Sequence, residues 1–423
     1  MPKKRKTDEV EEVVYERCCG MDVHKADVKA CLNIGGKKEV RTFGTMTSDL
    51  LKMSDWLNSH SVQIVAMEST GSYWKPVYNI LESQGIPAML VNPQQIKNLT
   101  APKTDVRDAR WIANLLRHGL LRPSFVPSKD QRELRELVKY RSSLTEESTR
   151  TLQRMDKVLQ GANIKLSNVI SSPDTKTGQL IIEALADGVS DPHMMAQLAM
   201  GSLKKKKLDI ELSLNGLIGD HQRLLLRSMS KHLEHIKEEI AVIDAEIDKR
   251  MEIDREIIER IKEIPGVGKT TAQAILAEIG TNMDQFTNEA HLASWAGICP
   301  VHNESAGKRK SGKTKKGNSN IKKTLVQCAN SASHSKDSYL SAQFKRIAAR
   351  RGRKRAIVAV AHTILITCYF MIKNGTGYKD LGSDFFDKRN KEAVYKRSVK
   401  RLESLGYVVS VELRDDPVLS EAS

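Results

Sequence analysis

Four acidic residues stand where carboxylates can do chemistry. Asp22 closes an apolar run in GMDVHK, Glu68 closes another in VAMESTGSYW, and Asp105 and Asp108 lie in KTDVRDARWIANLLRHGLL. The last two are three residues apart, so a helix carries them on one face. Carboxylates gathered without matching cations repel one another. Divalent ions remove that repulsion, and hard oxygen ligands suit Mg²⁺ or Mn²⁺. Two such ions about 4 Å apart activate a nucleophile and stabilise the leaving oxygen in phosphodiester displacement. Each acid alone has an ordinary alternative. Asp105 and Asp108 flank Arg107 and precede Arg110, so local ion pairs on a solvated face are one, and Asp22 could cap a turn. All four at strand and helix ends together favour a shared site.

Further along, ERIKEIPGVGKTTAQAILAEIG reads as two short helices joined by Pro265-Gly266-Val267-Gly268. It is not a Walker A loop, because Glu263 stands where that motif needs Gly and no strand precedes it. A helix-hairpin-helix fits better. Gly266 and Gly268 permit the tight turn, Lys269 adds charge, and the N–H groups opening the second helix face a backbone phosphate. A basic loop follows, VHNESAGKRKSGKTKKGNSNIKKTL. Between Lys308 and Lys323 there are eight cations (Lys308, Arg309, Lys310, Lys313, Lys315, Lys316, Lys322, Lys323) and no acid. A second cluster, RRGRKR, spans Arg350–Arg355. Both lie between apolar helices, which favours a nucleic-acid groove with salt-sensitive, largely sequence-independent contacts. The loop presents Ser305 and Ser311 on flexible, Gly-flanked backbone, and spacing alone makes neither a nucleophile.

The elements that must position these residues fall into blocks. Residues 1–12 are a basic end expected to be disordered. Over 13–125 the order is three strands (CCGMD, DVKACLNI, VRTFGT), a helix (SDLLKMSDWLNSH), a strand (QIVAMES), a helix from Trp74 to Gln84, a strand (PAMLVN) and then helices. Three antiparallel strands leading into βαβ crossovers predict an α/β ribonuclease-H-like domain. There the first and fourth strands are neighbours, so Asp22 and Glu68 point into one site, and a helix crossing that edge brings Asp105 and Asp108 to it. Residues 126–260 are charged and helical. One helix is capped by Ser128, and a second runs from Leu217 to Lys262 with Ile236, Ile240, Ile243 and Ile247 as its apolar stripe. These suggest an antiparallel coiled-coil stalk, with residues 161–216 a small insertion at its tip. Residues 261–375 form a second, mainly helical globular region, and 376–423 are an uninformative tail.

The 423 residues carry 68 Lys+Arg against 52 Asp+Glu, a net charge of +16 that implies a polyanionic partner. An apolar fraction of 40% excludes a disordered chain. MPKKRKTDEVEE lacks a secretory apolar segment. The apolar stretch Ala356–Ile372 is short and interrupted by His362, Thr363 and Thr367, so a buried core helix is expected rather than a membrane span. The six cysteines form no C-x-x-C pair, which points to reduced thiols. His232 and His235 share a helix face in a charged, solvated run.

Taken together, GMDVHK, ESTGSYW, KTDVRDARWIANLL, IPGVGKTTAQAILAEIG and GICPVHNESAGKRKSGKTKKGN resemble the transposases of insertion sequence family 110. The resemblance covers both globular regions and the helical segment between them. It implies a RuvC-like amino-terminal domain whose Asp-Glu-Asp-Asp site binds Mg²⁺, the acids matching Asp22, Glu68, Asp105 and Asp108. It also implies a serine from NESAGKRKSG, best matched by Ser305, with Ser311 the fallback. That serine would attack DNA, form a 5'-phosphoserine and be displaced by a second strand end, without ATP. The family further implies dimers and tetramers, active sites shared between subunits, donor and target DNA as partners, and an element-encoded guide RNA. The expected setting is a prokaryotic cytoplasm, at the nucleoid, with no membrane partner. Nothing in the residues themselves shows RNA guidance. Two competing functions are a RuvC-like metal endonuclease (a junction resolvase) without a covalent intermediate, and a nucleic-acid scaffold without chemistry.

Overall fold

The computed structural model describes residues 12–69, 71–93, 105–300, 304–305, 308–309 and 313–412, without the side chains of 105–107, 304–305 and 308–309. The chain divides into two compact units, Met1–Pro127 and Ser128–Ser423.

In the first unit, β1 (Arg17–Val23), β2 (Asp27–Ile34) and β3 (Lys37–Gly44) form an antiparallel meander. The β2–β3 turn is Gly35-Gly36, both at positive φ, which glycine adopts without steric cost. α1 (Thr47–Ser59) then crosses to β4 (Ile64–Glu68), parallel to β1, and α2 (Trp74–Ser83) leads to β5 (Ala88–Val91), parallel to β4. The sheet order β3-β2-β1-β4-β5 is that expected of a ribonuclease-H-like domain. Side chains alternate across a strand, so Cys19, Met21, Val65 and Met67 join Leu50, Met53 and Leu57 of α1 in one core layer. Cys18 and Ala66 face the other way, against Ile112, Leu115 and Leu116 of α3 (Asp105–Arg117).

The second unit is mostly helical. Ser128 caps α4 (Lys129–Gly161), its hydroxyl accepting from the Gln131 N–H. α4 runs antiparallel to a second long helix, α8 (Asp220–Arg250): Glu133 meets Arg250, Arg141 meets Asp244, and Glu147 meets His232. Between them, α5 (Lys176–Asp187), α6 (Pro192–Ala196) and α7 (Lys207–Ser213) build a local core. Ile181, Ile182, Leu185 and Ile210 pack there against Met155 and Leu159 of α4 and Leu226 and Leu233 of α8.

The helix expected from Leu217 to Lys262 is broken. A 3-10 turn at Glu252–Asp254 separates α8 from α9 (Arg255–Lys262), and this lets Ile258 and Ile261 turn into the second core instead of continuing the arm. That core also holds α10 (Lys269–Ile279), α11 (Glu289–Trp295), α12 (Ser319–Ala332), α13 (Tyr339–Arg351) and α14 (Arg353–Asn374), and the short strands β6 (Glu304–Ser305) and β7 (Lys308–Arg309) fall between α11 and α12 in the chain. α14 has 22 residues, and among the described residues it is the one helix long and apolar enough to cross a membrane. Length is therefore no bar to a span, contrary to the sequence expectation. Ala356, Val360, Ala361, Ile364 and Cys368 are nonetheless buried in the second unit, as a core helix requires. Within the tail lie two helices, α15 (Phe385–Arg389) and α16 (Lys391–Glu403).

Candidate active site and nucleic-acid interface

The acidic end of the first unit is built around Gly20. Cys18, Gly20 and Asp22 lie on the β1 face covered by α3, and Ile64, Ala66 and Glu68 lie on the same face of β4. Cys18 to Met21 pair in parallel register with Ile64 to Met67, so Asp22 and Glu68 are the next residues at one level of adjacent strands. A Cβ placed at Gly20 would lie 2.3 Å from the Ala113 nitrogen and 2.5 Å from the Ala109 oxygen, so glycine alone lets α3 rest on the strand. The direction of α3 is fixed at its far end. The Arg117 carbonyl accepts from the N–H groups of Val14 and Tyr15, and the Arg117 guanidinium reaches Asn33 at 3.3 Å and Glu16 at 3.4 Å. The C-terminus of α3 thus sits where β1 begins, and its N-terminus, with Asp105 and Asp108, sits where β1 and β4 end.

Asp22 is mostly buried and 3.0 Å from the His24 Nε2. Glu68 and Asp108 are half-buried. Among the described residues no three His, Cys, Asp or Glu side chains form a group able to hold a metal ion, and the Asp105 side chain lies outside them. The donors gathered at this end are hard carboxylate oxygens, which fit Mg²⁺ or Mn²⁺ in kind.

In the second unit, the turn between α9 and α10 packs on α12. Gly266 has φ +85, and a Cβ there would meet the Cys328 oxygen at 2.5 Å and the Ala332 nitrogen at 2.6 Å. The Gly268 N–H donates to the Thr271 hydroxyl. The Lys269 ammonium is 2.7 Å from Asp248 of α8, and Gln273 also donates to that carboxylate. The Lys269 hydrogen bond is the main cause that holds Asp248 below the usual carboxylate range. The Lys269 ammonium and the Gly268 N–H therefore already have partners within the protein.

The serine loop is more ordered at its base than its glycines suggested. Gly297 and Gly317 are in backbone contact, the Lys315 N–H donates to the Cys299 carbonyl, and Pro300 bridges Thr314. Beyond that base, Glu304 pairs with Arg309 and Ser305 with Lys308. Where flexible backbone was expected, these residues pair as two short antiparallel strands, with Ser305 opposite Lys308. Lys310 and Ser311 lie outside the described residues. Lys313 and Lys316 are exposed and Lys315 is half-buried. The last two cations of the run belong to α12: Lys322 donates to the Thr314 hydroxyl at 2.6 Å, and Lys323 pairs with Glu146 of α4.

One group escaped the sequence reading. Glu278 is 4% exposed at the end of α10, with Arg135 of α4 at 3.3 Å. Glu278 also accepts from the Asn318 amide at 2.6 Å, while Asn318 caps α12 where the serine loop ends. Arg135 lies over the Trp295 ring, and burial lowers its pKa. The only local signal was a lone acid on an apolar helix.

The chain matches two transposase families, one described as DEDD_Tnp_IS110 over residues 19–164 and one as transposase IS116/IS110/IS902 over residues 258–345. It is 26% identical to the transposase for insertion sequence element IS1111A of Coxiella burnetii over 72% of this chain and 76% of that one. It is 24% identical to the transposase for IS1328 of Yersinia enterocolitica over 66% and 73%. A pilin gene-inverting protein of Moraxella bovis is 23% identical over 68% and 73%. A solved chain of T. thermophilus RuvC, in complex with a Holliday junction substrate, aligns with 26% of this chain and all of that one at 15% identity, with a TM-score of 0.21.

Proposed function

We propose that this chain, which belongs to the IS110 family of transposases, joins DNA strands through a serine ester that its two units make and resolve together. It is a DNA transposase; the serine, the metal, the guide and the assembly are the proposal. The carrying observation is the convergence of the three elements that bear the four acids at one end of a sheet: Asp22 and Glu68 level on β1 and β4, and the α3 start that bears Asp105 and Asp108 beside them.

Asp22, Glu68, Asp105 and Asp108 would hold Mg²⁺ or Mn²⁺. Such an ion, when bound, neutralises charge on the phosphate and lowers the cost of both attack and departure. The Ser305 oxygen attacks phosphorus and loses its proton. The bond from phosphorus to the 3' oxygen breaks, leaving a 3'-hydroxyl and a 5'-phosphoserine. A 3'-hydroxyl from a second strand then attacks the same phosphorus, and the serine oxygen leaves and regains its proton. One phosphodiester is lost and one is made, so no ATP enters. A position in the last hairpin pair supports Ser305 in this role, because a strand end fixes a nucleophile better than a free loop does. Ser311 is the fallback.

The basic run Lys308–Lys323 and the turn at Gly266, Gly268 and Lys269 supply phosphate contacts in this reading, Lys269 exchanging its Asp248 partner for phosphate. Donor and target DNA, an element-encoded guide RNA, and dimers and tetramers that pair the acids of one subunit with the serine of another complete the proposal. The setting is the nucleoid of a prokaryotic cell. Residues 13–125 would carry the acids, 126–260 the stalk, and 261–375 the serine.

Incubation with Mg²⁺ and element-end DNA should yield a covalent protein–DNA adduct that Ser305→Ala and Asp22→Ala each abolish. An adduct that survives Ser305→Ala and disappears in Ser311→Ala would reassign the nucleophile. Free ends with no adduct would instead favour a metal endonuclease of the junction-resolvase kind.

A further inference from the structure

Beyond residue 345, where the second family match ends, the chain is fastened to the second unit by specific contacts. The Tyr378 N–H donates to Glu263 at 2.8 Å. Asp380 accepts from the Tyr339 N–H at 2.9 Å and from the Gly382 N–H at 2.7 Å. Phe385 and Phe386 of α15 close on Tyr339 of α13, the Phe386 ring stacked at 5.2 Å, and the Arg346 guanidinium lies 5.1 Å from the Phe386 ring centre on its other contact. Aromatic pairs and cation–π contacts of this kind add attraction beyond the burial of the rings. They hold α15, and α16 follows it after Asn390.

α16 has two faces. Lys396, Arg397, Lys400 and Arg401 occupy an arc of about 140° at 3.6 residues per turn, and all four are exposed. Tyr395 and Leu402 lie opposite. Lys396 pairs with Glu392 at 2.8 Å, an exposed pair worth little. Among the described residues Arg397, Lys400 and Arg401 have no acidic partner. The i, i+4 pairs Lys396/Lys400 and Arg397/Arg401 set two rows of charge about 6 Å apart along the helix. The arm follows α14 in the chain and docks on α13 at Tyr339 and Arg346; the second basic cluster, Arg350–Arg355, lies at the C-terminal end of α13 and the start of α14.

We propose that α16 is a second DNA-contacting element, an arm that lays the face formed by Lys396, Arg397, Lys400 and Arg401 against the phosphates of duplex DNA. The inference rests on the reading that this chain acts on DNA, and it adds a site that the serine loop and the acids do not include. A single helix fits the major groove of B-form DNA, about 12 Å wide, whereas the major groove of A-form RNA is too narrow to admit one. Contacts to phosphates carry no base information, so the arm contributes affinity and orientation rather than sequence choice.

The test uses the full chain and a blunt DNA duplex of random sequence, with affinity measured across a salt series. Replacing Lys396, Arg397, Lys400 and Arg401 by Ala should lower the slope of log affinity against log salt by about 3–4. Lys396→Arg with Lys400→Arg should keep the original slope, which separates charge from helix content. A Lys313→Ala, Lys316→Ala variant reports on the serine loop. If the loop variant weakens binding and the α16 variant leaves the slope unchanged, the arm is not a DNA contact while the wider reading stands. If neither variant alters binding, neither the arm nor Lys313 and Lys316 meets DNA, and the proposal falls. If the α16 variant loses only an RNA hairpin, or only vesicles of phosphatidylserine and phosphatidylcholine, the proposed occupant is wrong.

Discussion

Gly20→Ala places one methyl group between β1 and α3, the two elements that bring the acids together. In a strand, this substitution usually gains roughly 0.4–1 kcal/mol by restricting the unfolded chain. Here the added Cβ would lie 2.3 Å from one backbone atom of α3 and 2.5 Å from another, against an ordinary contact of at least 3.4 Å. No side chain can rotate out of the way, so the helix must lift by about 1 Å. Overpacking of that order costs about 1–3 kcal/mol, and in a unit of this size that is a fall in melting temperature of roughly 3–12 °C. The clash therefore outweighs the entropic gain. Because α3 bears Asp105 and Asp108, the same displacement should lower strand cleavage by ~10²-fold, the usual effect of a 1 Å misplacement. Thermal denaturation and a cleavage assay on the same preparation check both parts. A Gly20→Ala protein that melts at or above the parent temperature and cleaves at the parent rate would refute the packing of α3 on β1.

Three other outcomes are expected. Asp22→Asn should remove strand cleavage while melting at the parent temperature or above it, because it relieves carboxylate repulsion; a large loss of stability would make Asp22 a structural residue. Glu278→Ala should destabilise the second unit by about 3–5 kcal/mol in urea denaturation, since it removes the carboxylate that pairs with the largely buried Arg135 and leaves it backbone carbonyls, and a change under 1 kcal/mol, the usual worth of an exposed pair, would show that the pair is solvated. Burial pushes the Cys18 and Cys328 thiols up to about 11 and raises Cys19, Cys31 and Cys368 as well. Native protein treated with iodoacetamide at pH 8 should then be labelled first at the half-buried Cys299; early labelling of Cys31 would contradict the placement of α3 over β2.

Most of the first unit could be read from alternation alone. DVKACLNI is β2 residue for residue, and SDLLKMSDWLNSH gives α1 with Leu50, Met53, Trp56 and Leu57 buried. The β1 and β4 placements followed from apolar runs ending in an acid. What the sequence did not supply was any contact made across the fold. Gly20 inside a strand is a sign of close backbone approach, but nothing local says which helix approaches. The break at Met251 was hidden because Glu252–Asp254 are compatible with helix, and only burial of Ile258 and Ile261 makes a bend favourable. The hairpin at Ser305 and Lys308 was masked by glycines and lysines that read equally as free loop. Lys269 and Asp248 are distant in sequence, so their pairing could not be anticipated from the turn motif. α16 is a charged helix with little apolar face, the pattern least distinguishable from a solvated tail.

The proposed mechanism requires a hydroxyl of the second unit to become esterified to DNA at the acids' site. Mass spectrometry of nuclease-trimmed peptides from a Mg²⁺ reaction tests this most directly. The expected product is a nucleotide joined through its 5' phosphate to the peptide containing Ser305, absent from Asp22→Ala protein. A nucleotide on any residue other than Ser305 or Ser311, or cleaved DNA with no modified peptide, would contradict it.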